Sequence, residues 1–131
     1  MNGLHILAEF HECAGEARLL HDAGALAALC RRACVEAGLD VVAAAFHQFP
    51  GAGATGALVL AESHLAVHTW PELDAVTLDL YVCNHSRDNR AAAESAYCAL
   101  ATAFQAKRCV RRDIERGAVA GVPDLTLVAN E

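Results

Sequence analysis

Two apolar stretches, Gly56-Ala57-Leu58-Val59-Leu60-Ala61 and His64-Leu65-Ala66-Val67-His68-Thr69, are separated by nothing but Glu62-Ser63. A connection that short leaves room only for a tight turn, so the two stretches read as adjoining strands. Pro71 closes the second of them. Farther on, Val76 to Cys83 alternates more cleanly than any other segment. It places Val76, Leu78, Leu80 and Val82 on one face and Thr77, Asp79, Tyr81 and Cys83 on the other.

Helices are available to cover the apolar face. Residues 23–37 carry Leu26, Leu29, Cys30, Ala33 and Ala37 at helical spacing and stop near Gly38. Residues 89–105 carry the stripe Ala93, Ala96, Tyr97, Leu100 and Phe104, with Asp88 as the expected N-cap. Residues 4–10, 41–49 and 108–114 supply further strands, and Pro50-Gly51-Ala52-Gly53 is loop chemistry. The expected fold is α+β: a two-layer sandwich with a mainly antiparallel sheet and two helices on one face. The segment from Gly117 onward is Gly- and Ala-rich and is expected to be loosely held.

The 131 residues fit one domain, and a composition 55% hydrophobic and 20% charged provides a core and disfavours disorder. A net charge of −6 argues against a nucleic-acid partner, because polyanions are bound by clustered basic residues. Lys107, Arg108, Arg111 and Arg112 read as a solvated strand face. No run approaches the roughly 20 apolar residues that span a bilayer, and no basic-then-apolar leader opens the chain. These features predict a cytoplasmic protein that does not engage membranes. The six cysteines, at 13, 30, 34, 83, 98 and 109, include no CxxC pair and read as free thiols, with Cys30, Cys34 and Cys98 packed in the core.

The chemically informative stretch runs from Thr55 to Cys83. Ser63 lies in no GxSxG elbow and has no evident triad, so hydrolysis by a serine nucleophile is a poor reading. His64 and His68 have zinc-pair spacing, but no third ligand accompanies them, and no metal is expected.

The run Ala61-Glu62-Ser63-His64, then His68-Thr69-Trp70-Pro71-Glu72, then Cys83 at the end of the next strand, resembles the prokaryotic S-adenosylmethionine decarboxylase proenzyme family. The match centres on residues 46–84 and extends in pattern over most of the chain. The resemblance implies self-cleavage between Glu62 and Ser63 into chains 1–62 and 63–131, with Ser63 converted into a pyruvoyl cofactor. A serine hydroxyl can attack the preceding carbonyl where a strained backbone presents it, giving an ester by an N-to-O acyl shift. In the family the residue matching His68 then removes the Cα proton, and loss of ammonia leaves a ketone. That ketone forms a Schiff base with a substrate α-amine and acts as electron sink for decarboxylation. Cys83 matches the proton donor, a role that suits a thiol with an ordinary pKa of about 8.5.

Thr55 stands where the family more often has serine, and keeps the hydroxyl that steadies the processing intermediate. Phe49 and His68 match positions that sandwich adenine, and Glu72 matches the residue that holds the ribose hydroxyls. The implied activity supplies decarboxylated S-adenosylmethionine for spermidine biosynthesis, from homodimers with active sites at the interface. Leu73 replaces the aromatic residue that commonly follows Trp-Pro-Glu. L-Ornithine or L-arginine therefore stays open as substrate, with Glu72 or Asp74 meeting the distal charge. A non-catalytic regulatory relative is the alternative from another class, and the joint retention of Ser63, His68 and Cys83 speaks against it.

Overall fold

The structure, a computed structural model, describes residues 2–117. The tail expected to be loosely held lies, beyond Gly117, outside the described residues. Six strands and three helices follow in the order β1 (Gly3–Cys13), α1 (Arg18–His21), α2 (Ala23–Glu36), β2 (Val41–Gln48), β3 (Ala54–Leu60), β4 (Ser63–Trp70), β5 (Ala75–Cys83), α3 (Arg90–Phe104) and β6 (Ala106–Arg116). A 3-10 turn, Pro71–Leu73, links β4 to β5. The strands form one sheet in the order β2-β3-β4-β5-β1-β6, with every neighbouring pair antiparallel. This is the expected two-layer sandwich, with the one-turn helix α1 added to the two long helices.

The helix ends follow from local chemistry. Asp22 Oδ1 accepts from the Gly24 and Ala25 amides at 2.8 and 3.3 Å, satisfying donors that the first turn of α2 cannot pair internally. The chain leaves α2 through Gly38 at φ +92°, a conformation that costs glycine little. The N-cap of α3 is Asn89 rather than the expected Asp88; Asp88, one position earlier, accepts from the Arg90 amide at 3.0 Å as the helix begins.

One sheet face carries the core. Ile6, Phe10, Leu58, Leu65, Val76 and Leu80 are sealed beneath Leu26 and Cys30 of α2 and Leu100 and Phe104 of α3. Phe10 packs against Tyr97 and Phe104, with ring centroids 5.6 and 6.0 Å away. Full burial of each large apolar side chain contributes about 1.5–3 kcal/mol. Cys30 and Cys34 lie in this core, and burial pushes their thiols up to about 12 and about 11. Cys98, by contrast, is exposed: it falls one position beyond the Ala93, Ala96, Tyr97, Leu100 stripe and points outward.

Among the described residues no helix covers the opposite sheet face, which presents His5, His64, His68, Thr77, Asp79 and the half-exposed Val59. At one edge of the sheet, β6 is dense in charge. Arg111 pairs with Glu94 of α3 and, at 2.8 Å, with Asp113, which blunts the edge against pairing with another strand. Strand β1 sits between β5 and β6. Residues before Ser63 are therefore laced between residues after it.

Candidate active site

The β3–β4 turn is the strained point of the hairpin. Leu60 pairs with Ser63, so Ala61 and Glu62 alone reverse the chain. Glu62 takes φ +63°. For a residue with a Cβ this left-handed conformation costs about 1–2 kcal/mol, and surrounding contacts must hold it. Those contacts come from the loop after β5: Ser86 Oγ donates to Glu62 Oε1 at 2.5 Å, and the Ser86 amide to Oε2 at 3.4 Å. The Ser86 hydroxyl holds the Glu62 carboxyl below its ordinary pKa.

Ser63 opens β4, and its Oγ accepts from the Cys83 amide at 3.2 Å. The Cys83 carbonyl in turn accepts from Asn89 Nδ2 at 3.0 Å, and the Asn89 amide donates to Asn84 Oδ1 at 2.8 Å. Cys83 is buried, and its thiol neighbours the Tyr81 hydroxyl. Burial first, and then that thiol, raises the Tyr81 phenol. Glu62, Ser63 and Cys83 thus meet at one end of the sheet.

Thr55 and His68 meet at the other end. They are cross-strand partners, with Thr55 Oγ1 3.0 Å from His68 Nδ1. A cleft of about 330 Å³ adjoins them, and Phe49, Trp70 and Glu72 also line it. Phe49 is 46% exposed, so its ring is free to receive a ligand. His47 meets it edge-on at a centroid distance of 4.7 Å. Trp70 Nε1 donates to Thr77 Oγ1 at 3.2 Å. Thr69, beneath the cleft, accepts from the Ala54 amide and donates to the Leu20 carbonyl, both at 2.8 Å. A Cβ on Gly53 would lie 2.2 Å from the Thr69 carbonyl oxygen, so the cleft wall requires glycine there.

The two groups do not meet within one chain. His68 follows Ser63 by five residues of β4, about 16 Å along an extended strand, and the odd spacing turns their side chains to opposite faces. The sequence motif joins what the fold separates into two candidate half-sites: Glu62, Ser63 and Cys83 in one, and Phe49, Thr55, His68 and Glu72 in the other. His64 and His68, four residues apart, are about 13 Å from each other and share no ligand position. Ser86, Asn89 and Trp70 escaped sequence reasoning as site residues. For Ser86 and Asn89 the only signal was their place in the polar loop that follows Cys83.

The description of the S-adenosylmethionine decarboxylase family matches residues 4–117. The chain belongs to that family. Among its relatives, the S-adenosylmethionine decarboxylase proenzyme of Acetivibrio thermocellus is 35% identical over 115 residues, covering 88% of each chain. That of Thermotoga maritima is 36% identical over 124 residues, covering 93% of this chain and 91% of the relative. The crystal structure of the adenosylmethionine decarboxylase from Aquifex aeolicus superposes with a TM-score of 0.79 at 32% identity, over 89% of this chain and 92% of that one. The decarboxylase fold thus accounts for nearly all the described residues. Among them, no helix is long and apolar enough to cross a membrane.

Proposed function

We propose that this protein is a self-processing, pyruvoyl-dependent decarboxylase of S-adenosylmethionine: a single domain, cut into residues 1–62 and 63–131, that works as a cytoplasmic homodimer and supplies spermidine synthesis. The observation that carries the reading is the left-handed Glu62 held immediately before a partly exposed Ser63, with Cys83 directly beside it. A strained residue at a turn, clamped by Ser86, is what an acyl shift at the Glu62 carbonyl requires.

In processing, Ser63 Oγ attacks the Glu62 carbonyl carbon, and the peptide C–N bond breaks to leave an ester and a free amine. A base removes the Ser63 Cα proton while the Glu62 carboxylate departs. Tautomerisation and hydrolysis of the resulting enamine release ammonia and leave a ketone on residue 63. His68 suits the base role when Nδ1–H donates to Thr55 Oγ1, because Nε2 then presents its lone pair. The half-site geometry supports a shared active site. A two-fold pairing of open sheet faces sets the Ser63 end of one chain against the Thr55–His68 end of its partner. The uncovered face, with exposed Val59 and Leu7, gives such a pairing apolar area to bury.

The pyruvoyl group supplies the electron sink that carboxylate loss from an α-amino acid needs. The chain's residues supply the rest. Phe49 and His68 flank the cleft with faces suited to a nucleobase and to a sulfonium cation. Glu72, on the same wall, accepts from ribose hydroxyls. Cys83 delivers a proton to the substrate carbon after carbon dioxide leaves.

Carbon dioxide release from S-adenosylmethionine, L-ornithine and L-arginine tests the substrate assignment. S-Adenosylmethionine is expected to turn over fastest, with Phe49→Ala raising its KM about tenfold, as loss of one aromatic stacking partner predicts. Faster turnover of a basic amino acid, insensitive to Phe49→Ala, contradicts the assignment.

A further inference from the structure

A second cluster of chemically capable side chains occupies the open face near the Ser63 end of the sheet. His5 of β1 and His64 of β4 flank Tyr81 in cross-strand register, and Asp79 precedes Tyr81 by two residues on β5, so all three project from one face. His5 Nε2 lies 3.4 Å from Asp79 Oδ2, and His64 Nε2 lies 3.4 Å from Asp79 Oδ1. All three ligand atoms fall within 4.8 Å of one another.

Charge-assisted hydrogen bonds run to about 2.7–2.9 Å, so these contacts are too long to count as good ones. Among the described residues, His5 Nε2 and Asp79 Oδ1 are buried polar atoms with no hydrogen-bond partner. Two ligands each about 2.0–2.1 Å from a tetrahedral ion stand about 3.3 Å apart, close to the 3.4 Å between each imidazole nitrogen and its nearer Asp79 oxygen, Oδ2 for His5 and Oδ1 for His64. The sequence offered only the pairing of His64 with His68 and no third ligand. The fold replaces His68 with ligands from two other strands.

We propose that His5, His64 and Asp79 form a binding site for a divalent cation that favours imidazole and carboxylate ligands, with zinc the best match. Arg116 competes for it. Its guanidinium stacks 4.6 Å over Tyr81 and donates to His5 Nδ1 at 3.1 Å. A His5 that ligates through Nε2 carries its proton on Nδ1, which can then no longer accept from Arg116. Cation and Arg116 contact therefore exclude each other.

The site is tested on the full chain after chelator treatment, in a Cys98→Ser, Cys109→Ser background that removes the exposed thiols as decoys. Calorimetry with Zn²⁺ and visible absorption with Co²⁺ are expected to report one ion per chain in a nitrogen and oxygen environment. His5→Ala and Asp79→Asn should each weaken binding by about 100-fold or more, beyond the usual cost of losing an outer-shell partner. Arg116→Gln should tighten it about tenfold, a sign that a merely structural arginine does not predict. Circular dichroism checks that the variants fold. If His5→Ala does not fold, Asp79→Asn and Arg116→Gln decide. Absence of Zn²⁺ binding, or binding unaltered by Asp79→Asn and Arg116→Gln, overturns the proposal.

Discussion

Ser63→Ala and His68→Ala are each expected to abolish cleavage alone and to restore it when co-expressed. About 16 Å of strand separates the two residues within a chain, whereas proton transfer needs the base within about 3 Å of the acid or one water away. No side-chain rotation closes that gap, so in the proposed homodimer the His68 that serves each Ser63 is the second subunit's. A mixed dimer then holds one site lacking both groups and one site with both intact. Equal co-expression gives about half mixed dimers, so about half of the His68→Ala chains, and about a quarter of all chains, should be cut. Differently tagged chains resolved on a denaturing gel give these fractions directly, and every cut chain should carry the His68→Ala tag. If co-purified mixed dimers contain no cut chain, the shared site is wrong. The same outcome is expected if His68 serves its own chain, because neither variant then has a complete site.

Two further outcomes follow from the geometry at the Ser63 end. Cys83→Ala should retain some processing but lower the rate of productive decarboxylation by about 10²–10⁴-fold, with misplaced protonation inactivating the cofactor, as measured by carbon dioxide release per cleaved chain. Wild-type turnover in this variant would assign the proton to another group. The Ser86 hydroxyl holds the Glu62 carboxyl below its ordinary pKa, so the stabilisation is complete above the unfolded value of about 4.3 and is lost as pH falls through the lower folded value. In an uncleavable Ser63→Ala background, Ser86→Ala should therefore cost stability at neutral pH and converge with its parent in acid, as read by urea unfolding. A gap of constant size at every pH contradicts the assigned role of the carboxylate.

The sheet and its helices were legible because their signals are local. The alternation from Val76 to Val82, the stripe from Ala93 to Phe104 and the two-residue break at Glu62-Ser63 each fix an element through its nearest neighbours. The added turn of α1 was not legible, since four residues carry too little periodicity to register. The candidate site was legible as a list of candidate residues but not as a place. A motif compressed into residues 55–83 reads as one constellation, yet an extended strand carries Ser63 and His68 to its opposite ends. The left-handed Glu62 was hidden for a different reason, because glutamate gives no warning of positive φ as glycine does. The alignment of His5 with Tyr81 depends on a β1–β5 register that joins residues over 70 positions apart, and no local pattern encodes it.

The proposed self-cleavage to a ketone is the step on which the proposed chemistry rests, and intact mass under denaturing conditions measures it most directly. Denaturant is essential, because β1, from the first chain, lies between β5 and β6 of the second, and β3 remains paired with β4. The cleaved chains should therefore stay together in native buffer. Two species are expected, residues 1–62 with an ordinary carboxyl end and residues 63–131 lighter than a serine-ended chain by the mass of ammonia, with Ser63→Ala giving only the full-length chain. Active enzyme consisting of uncut 131-residue chains, or a second chain that begins with unmodified serine, contradicts this.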